Sequence, residues 1–458
     1  MRSRLNPLYG SGLFARAFRG AGWTALAFGL SQVLRLAANL VLTRLLFPEA
    51  FGLMALVMVM MIGLTMFSDI GLGPSIMQNK RGDEPDFLNT AWTIQAIRGV
   101  LLFLATCALA SPVATFYREP MLAQLLPVAG ATFIIAGFNT TRIETANRHL
   151  LLGRIALLDL VSQAVGIAAM IAAAWWLRSV WALVIGGLIG AATKLALCHL
   201  YLPGQSNFFQ WNSRAAHELV SFGKWIFAGT VAGFLVNQAD KVILGKYLSL
   251  ELMGILNIGS FLANFPLALA GAITARILIP LYRDRPPAAS ADNFRKMRFV
   301  RFALSGSVLS LTMALAFSGT HLIDFLYDSR YTAAGAIVVL IASIQIPQQV
   351  ISLTYDQAAL AAGDSRRFFY VLAVKAFTQT GAILIGAELG GLVGALVSLS
   401  LAIFLLYPTI VWLARLHGVW DPLHDAVCGG ICAVLGALAL WLNWDAIAKL
   451  AALASAPS

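Results

Sequence analysis

Apolar residues come in long blocks along this chain, parted by short polar or charged stretches. A helix needs about 20 mainly apolar residues to cross a bilayer, and most of the blocks reach that length. The first two set the pattern. An apolar run from about Gly20 to Thr43 ends at Arg44-Leu-Leu-Phe-Pro48-Glu49, and a second holds from Phe51 to about Phe67. They predict a hairpin of two spanning helices with a tight turn. Pro48 suits that turn, because it disfavours helix at the residue before it and lacks an N–H. The same spacing predicts helices at roughly 20–43, 51–70, 91–112, 122–143, 155–177, 179–199, 218–239, 252–275, 300–323, 333–355, 369–386 and 390–414, with a thirteenth at 424–443. The stretch from Ala446 to Ala456 is too short to span and is expected at the interface or as a partial helix.

The first turn recurs. Lys246-Tyr-Leu-Ser-Leu-Glu251-Leu-Met-Gly254 repeats the layout of Arg44 to Gly52: a base, a Leu two on (Leu46, Leu248), a Glu five on and a Gly eight on, at an offset of 202. Tyr117 and Tyr327 stand at later turns 210 apart. Glu144 with Arg154, and Asp356 with Arg366, repeat an acid ten residues before an arginine at an offset of 212. A slowly drifting offset is what changes in loop length between two copies produce. The chain therefore reads as an all-α polytopic membrane protein with two pseudo-symmetric six-helix lobes, residues 20–205 and 206–415. A basic segment (1–19) precedes them, and one or two extra helices (416–458) follow. Duplicated halves in a membrane chain point to a transporter with its site where the halves meet.

Composition agrees. Of 458 residues 59% are hydrophobic and 12% charged, with mean hydropathy +0.79, against about 25% charged in soluble domains. Arg2, Arg4, Arg16 and Arg19 precede the first block like the basic end of a signal peptide, but the block is of full membrane length without a small-residue cleavage site, so an uncleaved helix is expected. When loops are assigned alternately to the two sides, 22 of the 32 Lys and Arg fall with the N-terminus, 7 opposite, and Arg35, Arg98 and Lys375 inside helices. The bias places the N-terminus in the cytoplasm. It also accounts for most of the net charge of +11, as bases facing anionic headgroups. The bases are dispersed over short loops, which excludes a nucleic-acid-binding domain.

The order of short motifs carries a family resemblance. A base followed by Leu-Leu-x-Pro48-Glu49-x-Phe51-Gly52-Leu53 comes first, then an apolar helix ending Asp69-Ile-Gly71-Leu-Gly73, then Gln78. Asn89-Thr90-Ala91-Trp92, Arg154 to Ser162, Trp181-Ala-Leu-Val184, Phe222-Gly223, Asp240 to Leu248 and Gly390-Gly-Leu-Val-Gly394 follow. Together they resemble the oligosaccharide-lipid flippases of the Wzx type, in the same superfamily as the multidrug and toxin extrusion transporters. The likeness runs from about residue 20 to 415; the C-terminal end is shorter than in many members, which often carry fourteen helices. The resemblance implies a two-lobed helical bundle with a central cavity, working by alternating access without covalent chemistry or cofactor. The implied cargo is an oligosaccharide repeat unit on undecaprenyl pyrophosphate. It would be moved across a bacterial cytoplasmic (inner) membrane for O-antigen, capsule or exopolysaccharide synthesis. Membrane lipids, a polysaccharide polymerase and a coupling ion, proton or sodium, are the other partners implied.

Intramembrane charges are costly and face a cavity or a partner. Arg35, Arg98 and Lys375 are the candidate substrate-binding residues, since guanidinium and ammonium groups hold a pyrophosphate. The plainer alternative is that each pairs with a nearby acid or snorkels to the interface. Asp240 and Lys241 are a candidate gate or coupling pair. Adjacent residues point about 100° apart on a helix and do not pair with each other, and an interfacial charge with a helix-stabilising partner is the plainer alternative. Asp69, Asp159, Glu144 and Asp356 lie near helix ends and are expected in inter-loop salt bridges with the inside arginines rather than as coupling sites. Cys428 and Cys432 share a helix face, with no further ligand expected near them for a metal; packing is expected for all four cysteines. Glycines 186–190 and 390–394 are expected inside helices, allowing close packing, with a hinge role open. A glycosyltransferase or polymerase would need a carboxylate-bearing catalytic loop, often long; every outside loop here is short. A drug or cation antiporter, the alternative reading, favours a carboxylate-lined cavity, whereas the deep charges here are mostly cationic.

Overall fold

The computed structural model describes residues 13–455, and no strand occurs among them. The chain forms two compact units. One holds the chain up to Leu46 with Val57–Val231, the other Phe47–Leu56 with the chain from Ala232 on; the foreseen boundary at 205/206 lies in the segment between the eighth and ninth helices. Up to Tyr247 the helices are α1 (Leu13–Leu45), α2 (Pro48–Phe67), α3 (Leu72–Gln78), α4 (Pro85–Tyr117), α5 (Met121–Gly137), α6 (Arg142–Arg148), α7 (Leu152–Leu177), α8 (Trp181–Tyr201) and α9 (Ser213–Tyr247). There follow α10 (Leu250–Ala263), α11 (Phe265–Asp284), α12 (Ala291–Leu326), α13 (Ala333–Leu340), α14 (Ile346–Ala361), α15 (Ser365–Leu416), α16 (Pro422–Leu442) and α17 (Trp444–Ser455). Every foreseen helix has its counterpart. Nine described helices are long and apolar enough to cross a membrane, eleven if two bent pairs, α5 with α6 and α10 with α11, count as spans. α9, with Lys224, Asp240 and Lys241 along it, is not among the nine, and α15 counts once although a turn breaks it. The turn before α2 is as tight as expected, with Pro48 as its first helical residue, where a missing N–H costs nothing.

Three features depart from the expectation. α4, α9 and α12 run for 33, 35 and 36 residues, about 50 Å or more at 1.5 Å per residue, well past a hydrocarbon core of about 30 Å. Hydropathy sees only their apolar middles. Second, α3 and α6 are seven residues each, too short and polar for a membrane pattern. Third, Gly390 and Gly391 do not lie inside a helix: Gly391 takes φ +55°, ψ −138°, and the two form the turn between the arms of α15. That conformation suits glycine alone. Gly394 does pack as expected, since a Cβ on Gly386 would sit 2.4 Å from its carbonyl oxygen. Gly186 and Gly190 likewise lie against Gly166, joining α7 to α8.

Arginines close several helix ends. The last carbonyls of a helix have no intrahelical donor. Arg142, on α6, donates to the carbonyls of His199 (2.7 Å), Leu202 (3.3 Å) and Gln205 (3.0 Å) at the end of α8. Arg148 donates to those of Ile76, Met77 and Asn79 at the end of α3. The segment after α8 is held in an extended form by α4. The N–H groups of Phe208, Gln210 and Asn212 donate to the side chains of Asn89, Thr93 and Thr90. Alternate residues of an extended chain face one side, and these three acceptors share one face of the helix.

In the second unit the start of α2 meets the start of α10. A Cβ on Gly52 would lie 2.1 Å from the Leu250 carbonyl oxygen, and one on Gly254 1.9 Å from that of Pro48. These are the two glycines matched by the offset of 202. The pair α13–α14 is the most buried of the spans, with a π-turn at Ile341–Gln345 between its parts. Pro347 has no N–H to offer Ser343, and Gly436 of α16 passes that carbonyl so closely that a Cβ would sit 2.6 Å from it.

Two outcomes follow for the purified protein in detergent. Gly254→Ala is expected to cost about 1–3 kcal/mol through overpacking and to lower the thermal midpoint, whereas Gly187→Ala, with open space around its Cβ, leaves it level or raised; equal midpoints would dismiss the close approach. Arg142→Lys keeps the charge but loses the forked reach to three carbonyls, a cost of about 2 kcal/mol, and a midpoint unchanged from the parent rules out the cap.

Candidate functional site

The three intramembrane cations stand in different surroundings. Arg35 is exposed on α1, ten residues before its end and so about 15 Å from it, half the thickness of a hydrocarbon core. One turn earlier Ser31 donates to Gln163 of α7 at 2.7 Å, which fixes that face of α1. Arg98 is half-buried on α4. Its Nε donates to Ser68 Oγ (3.0 Å) and its Nη2 to the Thr65 carbonyl (2.8 Å), at the C-terminal end of α2, where a cation also meets the negative pole of the helix. Arg98 thus satisfies the plainer expectation in part, with carbonyl and hydroxyl in place of an acid. Lys375 is half-buried on the first arm of α15, with no ion pair or hydrogen bond among the described residues. Arg35 and Arg98 belong to one unit and Lys375 to the other. Asp240 and Lys241 are both half-buried on α9.

The helix-end acids divide. Asp159 is in an ion pair, but with Lys194 at 2.7 Å, a bridge from α7 to α8 rather than from a loop to an arginine. Asp69 instead accepts from the Gly71 N–H (2.9 Å) and shapes the turn into α3. Glu144 lies against Gly73, its carboxylate 3.2 Å from where a Cβ would be. The side chain of Asp356 lies outside the described residues.

A second polar cluster escapes a reading by sequence. Arg301 on α12 is 1% exposed, with no ion pair among the described residues. It donates to Tyr282 Oη (2.6 and 3.2 Å) and the Val419 carbonyl, and lies over the Tyr355 ring at 5.0 Å. Asp425 on α16 accepts from Tyr355 (2.6 Å), Tyr407 (2.7 Å) and His424 Nδ1 (3.0 Å). His424 Nε2 reaches Ser305 Oγ at 3.1 Å. Arg298 holds Asp421 by two bonds, 2.6 and 2.9 Å. Burial raises the pKa of Asp421, but Arg298 and the His424 N–H outweigh it and hold the carboxyl below its usual range. Every member is satisfied, so the cluster clamps α16 to α12, α14 and α15 rather than opening to a ligand. His424 lies one turn before Cys428 on the face shared with Cys432 but is committed to Asp425 and Ser305, and no group of three metal-ligating side chains occurs among the described residues. Cys198, Cys428 and Cys432 are buried and Cys107 half-buried, as packing requires. The only advance signal of the cluster was Asp421, His424 and Asp425 crowded at the start of an apolar run.

Known proteins share this architecture. The lipid II flippase MurJ in an inward closed conformation superposes with TM-score 0.70 at 12% identity, covering 94% of this chain and 97% of its own. An inward-facing multidrug resistance MATE family transporter of the MOP superfamily gives 0.60 at 13%, covering 85% and 94%. The fold is thus the all-α, two-lobed membrane class that the duplicated pattern predicts. The lipopolysaccharide biosynthesis protein WzxC of Escherichia coli (strain K12) is 20% identical over 389 residues, 83% of this chain and 77% of its own. The succinoglycan biosynthesis transport protein ExoT of Rhizobium meliloti (strain 1021) is 21% identical over 392, 84% and 77%. Residues 41–336, well over half of the sequence, match the family described as polysaccharide biosynthesis protein, and the chain belongs to that family.

Proposed function

We propose that this integral membrane protein flips undecaprenyl-pyrophosphate-linked oligosaccharide repeat units from the inner to the outer leaflet of a bacterial cytoplasmic membrane, with its N-terminus in the cytoplasm, to supply surface polysaccharide synthesis. The family match over 41–336 carries the reading. Relatives named for lipopolysaccharide biosynthesis and succinoglycan transport, and the likeness to a flippase of lipid II, support it. No bond is made or broken in this step. The work is to neutralise a pyrophosphate away from bulk water and release it on the far side by alternating access. Arg35 and Lys375 are the cations best suited to the headgroup: the first is exposed at mid-depth, and the second brings an ammonium that the described residues leave uncommitted. Arg98 adds positive potential but is partly engaged at the end of α2. Asp240 and Lys241 on α9 form the coupling pair for a proton or sodium ion, and a polysaccharide polymerase receives the product.

Lipid extraction and mass spectrometry from cells lacking the protein test the reading. Accumulated undecaprenyl-pyrophosphate oligosaccharide is expected; no accumulation, with altered sensitivity to cationic drugs, would favour an antiporter instead. In complemented cells Arg35→Ala and Lys375→Ala should each lower polysaccharide output about tenfold, the worth of a charge-assisted hydrogen bond, at normal protein level. Arg98→Ala should lower the protein level as well. Full output from both of the first two variants would rule out the cationic cavity. In proteoliposomes Asp240→Asn is expected to abolish stimulation by an imposed proton or sodium gradient, and stimulation that survives removes Asp240 from the coupling.

A further inference from the structure

In the second unit the end of α14 and the two outer ends of α15 border an open pocket of about 1150 Å³. Tyr370 and Trp412 form its aromatic wall, ring centroids 6.1 Å apart and edge to face. Asp364, Arg366, Arg367 and His417 form its charged rim. Asp364 answers only part of that charge: it pairs with Arg367 at 2.9 Å and lies 3.4 Å from His417 Nε2. Arg366 is exposed and has no ion pair or hydrogen bond among the described residues. On the orientation read from the loop charges, the rim falls on the side where the basic loops gather and anionic headgroups are met.

The first unit has a cavity at the corresponding place. The offset of 212 carries Leu151 and Gln205 onto Gly363 and His417, and all four line their cavities. There the volume is about 350 Å³, and Arg142 at its edge is turned onto the carbonyls that end α8. The residue 212 on from Arg142 is Thr354, which brings no cation. In the second unit the arginines are left at the rim of a cavity about three times as large.

An open pocket that brings arginines beside two exposed aromatic rings suits a molecule with a phosphate head and an apolar tail. Guanidinium groups hold phosphate by paired hydrogen bonds, and Trp and Tyr belong at headgroup level. We propose that this cavity binds the phosphate headgroup of a membrane lipid, held by Arg366 and Arg367 with the first methylenes of the tail against Tyr370 and Trp412. The proposal stands independently of the flippase reading. A bulk anionic phospholipid and a polyprenyl pyrophosphate share the required chemistry.

Native mass spectrometry of the full-length protein reads the occupancy, with micelles doped with phosphatidylglycerol, phosphatidylcholine or geranylgeranyl pyrophosphate. Phosphatidylglycerol retained over phosphatidylcholine identifies a bulk anionic lipid. Geranylgeranyl pyrophosphate retained over phosphatidylglycerol identifies a polyprenyl carrier. Either upholds the proposal when occupancy falls about fivefold in Arg366→Gln and about thirtyfold with Arg367→Gln added. Arg367 also steadies Asp364 at the start of α15, so if the double variant fails to fold, Arg366→Gln alone decides. Equal retention of all three lipids, or occupancy unchanged in Arg366→Gln, overturns the proposal. So does displacement by millimolar inorganic phosphate, which would assign the rim to free phosphate.

Discussion

A helix that stops at a membrane edge leaves carbonyl groups that lipid cannot satisfy, and this chain answers them with arginine. Arg142 closes α8, Arg148 closes α3, Arg98 reaches the end of α2, and Arg301 takes the Val419 carbonyl beyond α15. A guanidinium suits the task because its donors are rigidly forked and its charge is never lost. The helix C-terminus welcomes it in turn as the negative pole. Part of the basic excess that reads as a topology signal is therefore structural. The long amphipathic arms of Arg142 and Arg148 cross from the short helix α6 to the ends of α8 and α3 and fix loops that hydropathy leaves shapeless.

The second constraint is backbone proximity. Where the helices must touch, side chains are removed: Gly52 against Leu250, Gly254 against Pro48, Gly166 against Gly190, Gly386 against Gly394. The repeat of a base, a Leu, a Glu and a Gly at an offset of 202 was legible in the sequence as similarity. That its two glycines meet was not, because a periodic match says that two segments are alike and nothing about whether they touch.

The same distinction explains what else was legible. A spanning helix declares itself locally, by twenty apolar residues in a row, so all thirteen foreseen helices have counterparts. α3 and α6 owe their form to partners 70 or so residues away, Arg148 on the carbonyls of α3, and a local pattern cannot reveal them. The Asn89-Thr90-Ala91-Trp92 motif stood out as a resemblance, but its task of receiving alternate N–H groups from 208–212 becomes visible only when the extended segment is laid against α4. Among the charges, Arg35, Arg98 and Lys375 were legible because they interrupt apolar runs. Arg301 was not, because it sits beside other bases at the start of α12 and looks like one more loop charge until its burial is known.

This sorting of cations has an electrostatic consequence. A guanidinium turned onto carbonyls, as Arg142 and Arg148 are, has its field offset by the dipoles it caps and offers little to a passing anion. Arg301 is sealed by Tyr282, Tyr355 and a carbonyl, with Arg298 and Asp421 neutralising each other beside it. Lys375 and Arg366 differ from these, with no ion pair or hydrogen bond among the described residues. Arg367 stands between the two cases, exposed but sharing its charge with Asp364 at 2.9 Å. A net charge of +11 therefore says little about the local potential, because the fold offsets some of these bases with carbonyls and carboxylates and leaves others exposed.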